Sequence, residues 1–127
     1  MNIRIEHAAL YAGDLERTRE FYAAFFEAKS GPLYRNEKRF SSRFLTFESG
    51  ARLEVMHRDG SCPDACGERN GWSHIAFSVG SKENVISLTK KITAAGYQLY
   101  SGPRETGDGY FESCVGDPDG NRVEITV

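Results

Sequence analysis

Very little in this sequence of 127 residues departs from the composition of an ordinary globular chain, and each absence removes a class of function. There is no excess of one charge: the formal net charge is −2, which gives no electrostatic reason to expect nucleic acid or an anionic membrane surface as a partner. No uninterrupted apolar run approaches the roughly 18–20 residues that would span a bilayer. The opening segment, Met1-Asn2-Ile3-Arg4-Ile5-Glu6, carries no apolar signal region and leads straight into a strand, so the expected compartment is the cytoplasm. Cysteine is scarce. The three residues Cys62, Cys66 and Cys114 are an odd number, which argues against a closed disulfide framework. Cys62 and Cys66 lack a second ligand pair at similar spacing, so a zinc knuckle is not expected and reduced thiols are. What remains is 39% apolar and 27% charged residues, enough for one soluble domain with a core.

What the sequence does contain is an internal repeat. Ile5-Glu6-His7-Ala8-Ala9 in the first half answers Trp72-Ser73-His74-Ile75-Ala76 in the second. Gly50-Ala51-Arg52-Leu53-Glu54-Val55 answers Gly120-Asn121-Arg122-Val123-Glu124-Ile125. Each half therefore has a His on an early strand and a Glu on a late one, at nearly the same separation. Such periodicity points to a duplicated module.

The local signals repeat as well. Residues 3–11 alternate as a strand, and Asp14 is a suitable N-cap for a helix to about Ala28, with Leu15, Thr18, Tyr22, Phe25 and Phe26 near one stripe. Strand-like segments follow at 33–35, 43–48 and 52–57. The polar segment 58–71 reads as a linker. The second half places a strand at 72–79, a helix capped by Ser81 and ended by Gly96, and strands at 97–101, 110–115 and 122–127. Gly102-Pro103 reads as a turn, and so does Asp117-Pro118-Asp119-Gly120, where Pro presets φ and Gly accepts a positive one. The expected architecture is α+β: a single domain of residues 1–127 made of two βαβββ modules, about 3–57 and 72–127, forming a curved mixed sheet around a metal site.

Alternation places the candidate ligands opposite apolar stripes. Ile75 and Phe77 oppose His74, Val123 and Ile125 oppose Glu124, and Leu53 and Val55 oppose Glu54. Taken singly, a strand His reads as a hydrogen-bonded structural residue and a Glu as a solvated one. Taken jointly, His7, Glu54, His74 and Glu124 form a donor set of imidazole nitrogen and carboxylate oxygen. Such a set suits one divalent ion: nickel, cobalt or zinc, with manganese and iron as alternatives. Arg52 and Arg122 lie on the ligand side, either to bind an anionic substrate group or, preferably, to pair with acidic neighbours. His57 has no counterpart and reads as a surface or substrate-pocket residue. The polar loop 102–109, which includes Arg104, either covers a substrate or simply connects strands.

With these residues in view, the chain resembles the vicinal oxygen chelate superfamily, which includes glyoxalase I, over essentially its whole length. His7, Gly13-Asp14-Leu15 with Phe21-Tyr22, Glu54, the run Ser73-His74-Ile75-Ala76-Phe77-Ser78-Val79, and Asp117-Pro118-Asp119-Gly120-Asn121-Arg122-Val123-Glu124 carry the resemblance. It implies the paired-module fold, and it implies one of several chemistries hosted on that fold. The His-Glu-His-Glu ligand order is similar to that of short bacterial glyoxalase I, a lactoylglutathione lyase. Epimerases of the superfamily usually carry Gln at the place of Glu54. Thiol transferases and extradiol dioxygenases use three ligands, and bleomycin-binding relatives lose them. The resemblance to glyoxalase I implies isomerisation of a 2-oxoaldehyde–thiol hemithioacetal to a 2-hydroxyacyl thioester through an enediolate. In that reading Glu124 is the first choice of base and Glu54 works the opposite face. It also implies a homodimer whose sites often draw ligands from both chains. Another metal-dependent transferase or epimerase, or a non-catalytic small-molecule-binding protein, is the alternative. The chain departs from the glyoxalase pattern where an Arg and an Asn hold glutathione. Those places are Tyr11 and Arg58, which become weak substrate-contact candidates together with Arg104.

Overall fold

The computed structural model of the chain describes residues 1, 5–60, 72, 74–107 and 109–127. The chain divides into two compact units, Met1–Asp64 and Ala65–Val127. Cys62, Cys66 and most of the expected linker lie outside the described residues. Arg58, expected as the linker's first residue, instead ends a strand.

The first unit runs β1 (His7–Tyr11), α1 (Leu15–Phe26), β2 (Lys29–Ser30), β3 (Tyr34–Arg35), β4 (Phe40–Thr46) and β5 (Arg52–Arg58). Its strand order is β1-β5-β4-β2, with β3 also paired to β4. β1 is parallel to β5 and the other pairings are antiparallel. Asp14 caps α1 as expected, its side chain accepting from the Arg17 N–H at 3.0 Å. The helix ends at Phe26, the last residue of the apolar stripe and just short of the expected Ala28, because Glu27 takes a left-handed conformation and the following N–H closes on the Tyr22 carbonyl. Phe21, Tyr22 and Phe26 bury against Leu45, Leu53 and Val55. Each fully buried side chain of this kind contributes about 1.5–3 kcal/mol.

The second unit runs β6 (His74–Ser78), α2 (Lys82–Ala94), β7 (Leu99–Glu105), β8 (Phe111–Gly116) and β9 (Arg122–Thr126), in the order β6-β9-β8-β7. Here β6 is parallel to β9. Val85 and Ile92 of α2 bury with Val115, Val123 and Ile125. The buried Thr89 hydroxyl is satisfied by the Val85 carbonyl and by Ser113, both at 2.6 Å. The turn before β9 forms as expected, with the Gly120 N–H on the Asp117 carbonyl at 2.9 Å and Gly120 at φ 81°. Burial raises the Asp117 carboxyl above its ordinary range, offset in part by N–H donors from Asn121 and Asp119.

The expected α+β class and duplicated module are present, but the hydrogen bonding is divided into two mixed sheets, one per unit. One local expectation is corrected. Gly102-Pro103 is not a turn that ends a strand; β7 continues through it to Glu105 with two register shifts against β8. Pro103 is tolerated because β7 is an edge strand and needs no N–H on its outer side. Gly102 is required there: its φ is 77°, and a Cβ would sit 2.5 Å from the Glu112 carbonyl oxygen. No helix among the described residues is long and apolar enough to cross a membrane.

A surface ion cluster joins α1 to its sheet. Glu16 accepts from Arg19 Nε at 2.6 Å and from Arg43 Nε at 2.7 Å. Burial works to raise its pKa, but the two guanidinium groups outweigh it and hold the carboxyl below the ordinary range. A lowered folded-state pKa stabilises above the unfolded value and is lost as pH falls through the folded one. Because Glu16 is 47% exposed, solvent screening keeps the effect below about 1 kcal/mol. Glu16→Gln is therefore expected to be slightly less stable than the parent at pH 7 in urea denaturation. The difference should shrink as pH drops below about 4.

Candidate metal centre

Parallel pairing of the first and last strands of each unit is what brings its His and Glu together. In the first unit His7 is in register with Arg52, and Ala9 with Glu54. In the second, His74 is in register with Arg122, and Ala76 with Glu124. The registers are the same. Residues in parallel register point to the same side of a sheet, so each His shares a face with the Glu two residues further along its neighbouring strand. The opposite faces carry Leu53 and Val55, or Val123 and Ile125, buried under the helices.

His7 Nε2 lies 3.9 Å from Glu54 Oε2, and His74 Nε2 lies 3.2 Å from Glu124 Oε2. Two ligands that each lie about 2.1 Å from one ion are themselves about 3–3.5 Å apart, so both pairs fit shared ligation with little adjustment. The carboxylates are the less exposed members, 18% for Glu54 and 22% for Glu124 against about 40% for the histidines. Among the described residues, no group of three or more His, Cys, Asp or Glu side chains is gathered into one cluster. The four residues are assembled as two pairs, one in each unit.

Three neighbours of these pairs escape a reading of the sequence. Phe44 stands opposite Glu54 across β4 and β5. The His7 ring meets the Phe44 ring edge-on at 5.4 Å, and the Arg52 guanidinium lies 4.1 Å above it. Cys114 stands opposite Glu124 across β8 and β9, buried, with its thiol pushed up chiefly by burial. Both pairings follow from counting back from a hairpin, and the Asp117–Gly120 turn was legible enough to have allowed it for Cys114. Glu6 is the third neighbour: it hydrogen-bonds His7 Nδ1. Strand alternation would turn residue 6 away from residue 7, but β1 begins only at His7, so Glu6 is not bound by it.

The arginines divide. Arg52 pairs with the carboxylate of Glu6, its Nε at 2.8 Å. Arg122 lies 4.9 Å above the Tyr100 ring. Tyr11 ends β1 opposite Met56 on the His7 side, and Arg58 ends β5 with its guanidinium 5.5 Å from the Phe40 ring. Arg104 belongs to the second unit, exposed on β7 opposite Glu112. His57 is turned toward the helix side, Nδ1 at 2.8 Å from the Ala12 carbonyl oxygen and Nε2 at 3.2 Å from Asp59. It also lines a groove of about 290 Å³ with Asp14, Arg35 and Ser41, away from the His7–Glu54 pair. A groove of about 400 Å³ lined by Lys29, Pro32 and Tyr34 shares Phe44 and Arg52 with the surroundings of His7.

The profile of the glyoxalase/bleomycin resistance protein/dioxygenase superfamily matches residues 4–125. The chain belongs to this superfamily. It is 29% identical to the uncharacterised protein YqjT of Bacillus subtilis (strain 168), over 97% of this chain and 98% of that one. It is 31% identical to lactoylglutathione lyase GLX1 of Arabidopsis thaliana over 98% of this chain, while spanning only 44% of that protein. In fold it is similar to a glyoxalase/bleomycin resistance protein/dioxygenase domain from Frankia sp. EAN1pec. The TM-score is 0.86 at 20% identity, covering 100% of this chain and 98% of that one. Superfamily members share the scaffold rather than one reaction, so the reaction is argued from the residues.

Proposed function

We propose that this chain is a metal-dependent glyoxalase I-like isomerase acting on the hemithioacetal of a 2-oxoaldehyde and a small thiol. The observation that carries the reading is the His–Glu pair built twice by the same parallel register, His7 with Glu54 and His74 with Glu124. The distant similarity to lactoylglutathione lyase points the same way.

His7, Glu54, His74 and Glu124 would hold one divalent ion: two neutral imidazoles and two carboxylates balance its charge. Nickel, cobalt or zinc is the expected metal. When bound, the ion supplies Lewis-acid stabilisation of negative charge developing on substrate oxygens. The proton chemistry belongs to the carboxylates. Glu124 takes the proton from the carbon bearing the thiol sulfur. The C–H electron pair becomes the C=C bond of an enediolate as the carbonyl π pair moves to its oxygen, the hydroxyl proton of the sulfur-bearing carbon passes to that oxygen, and the abstracted proton returns to the adjacent carbon to give the 2-hydroxyacyl thioester. Glu54 serves the opposite face. The groove beside Phe44 and Arg52 would take the organic portion of the substrate. Tyr11 and Arg58 stand where glutathione-holding residues are expected, so the thiol is proposed to be one other than glutathione, with Arg104 as a further contact. A second copy of the chain is the proposed partner, ligands being drawn from both copies.

The test is a metal titration of chelator-stripped protein, following hemithioacetal turnover with several thiols at each step. Turnover that rises with one equivalent of metal supports the reading. Stoichiometric metal binding with no turnover for any thiol overturns the reaction and leaves the site. Absence of metal binding overturns both.

A further inference from the structure

The surroundings of His7 are more organised than ligation by one side chain requires. Its Nδ1 is hydrogen-bonded to Glu6, whose other carboxylate oxygen accepts from Arg52 Nε at 2.8 Å. Arg52 is itself fixed. Its backbone N–H donates to the Glu6 carbonyl at 3.0 Å, and its guanidinium lies on the Phe44 ring. The same ring receives the edge of His7 at an interplanar angle of 85°. The imidazole is thus held at Nδ1 by a carboxylate and on one side by an aromatic ring, and its Nε2 faces Glu54.

A carboxylate engaged by a guanidinium is an acceptor only, so the shared proton resides on His7 Nδ1. That choice leaves the Nε2 lone pair directed outward, the form a metal ligand needs. We propose that Glu6 is a positioning residue for metal ligation, fixing His7 in the Nδ1–H tautomer with Nε2 aimed at Glu54, and that Arg52 and Phe44 hold Glu6 and His7 in that arrangement. The proposal rests on the reading of His7 and Glu54 as metal ligands.

In sequence, the repeat does not preserve the carboxylate. Ser73 precedes His74 where Glu6 precedes His7, and the arginine equivalent to Arg52 is engaged with Tyr100. Outer carboxylates of this kind raise imidazole basicity and typically change metal affinity by about 10–100-fold.

The experiment compares Glu6→Gln, Glu6→Asp and Glu54→Gln in the full chain. Zinc and cobalt affinities are read by competition with a chromophoric chelator. The tautomers of His7 are read in the metal-free protein by long-range ¹H–¹⁵N correlation of the ring nitrogens. Glu6 is 62% exposed, so the fold is expected to stand in all its variants, and circular dichroism checks it. The expected result is about a 10–100-fold weaker Kd in Glu6→Gln, partial recovery in Glu6→Asp, and a shift of His7 from the Nδ1–H form toward Nε2–H. Parent-like affinity and tautomer in Glu6→Gln, alongside weakened binding in Glu54→Gln, overturn the positioning role and leave the ligand set intact. Parent-like affinity in Glu54→Gln overturns the ligand reading itself, and the positioning role with it.

Discussion

Replacing Glu124 by Gln is expected to lower kcat/KM for the hemithioacetal by about 100-fold or more, while the melting temperature stays close to that of the parent. The amide is nearly isosteric with the carboxylate but cannot accept the substrate proton, so the loss falls on the chemical step. Glu124 is on the partly exposed face of β9 rather than among Val123 and Ile125, which is why the fold should not notice. Metal affinity should also weaken, because one of two charge-balancing carboxylates is gone and His74 loses its partner at 3.2 Å. Steady-state kinetics at saturating metal separates the two effects. If activity returns to the parent level once the metal is saturating, Glu124 is a ligand and not the base. If activity is unchanged throughout, Glu124 is neither the base nor a required ligand, and the proton transfer falls to Glu54.

Phe21→Ala is expected to cost about 3–5 kcal/mol. Phe21 is 1% exposed and at the centre of an aromatic cluster, with ring centroids 5.1 Å from Tyr22, 5.3 Å from Phe25 and 5.8 Å from Phe26. Truncation removes the transfer free energy of the ring and leaves a cavity that these large, rigid neighbours cannot fill. A loss of that size is a substantial part of the about 5–15 kcal/mol that stabilises a typical domain. Urea denaturation of Phe21→Ala beside Ile86→Ala makes the contrast direct, since Ile86 is 50% exposed on α2 and its truncation should change stability little. Equal effects of the two variants would show that α1 is not held to its sheet by this cluster.

The duplicated module, its two helices and the four candidate ligands were legible in the linear sequence because each depends on local periodicity or on repetition. Asp14 and Ser81 cap their helices through bonds to residues three positions on, and the Asp117–Gly120 turn closes on itself. Strand alternation alone put Glu54 and Glu124 opposite the apolar stripes, since side chains on a strand have a period of two. Other features depend on what a residue meets across space. That Pro103 could remain within β7 depended on β7 being an edge strand, a property of the sheet and not of the dipeptide. Arg52 and Arg122 occupy equivalent places in the repeat, yet one pairs with Glu6 and the other lies on Tyr100. Their neighbours come from segments that the repeat does not preserve. Phe44 and Cys114 joined the ligand faces only through hairpin register. Glu6 reached His7 because β1 begins only at His7, whereas the alternation pattern extends back to residue 3. The sequence by itself determined the candidate ligands and the faces they share; the tertiary structure decided which groups stand behind His7, because hydrogen-bond partners are chosen by proximity in space and periodicity carries no information about it.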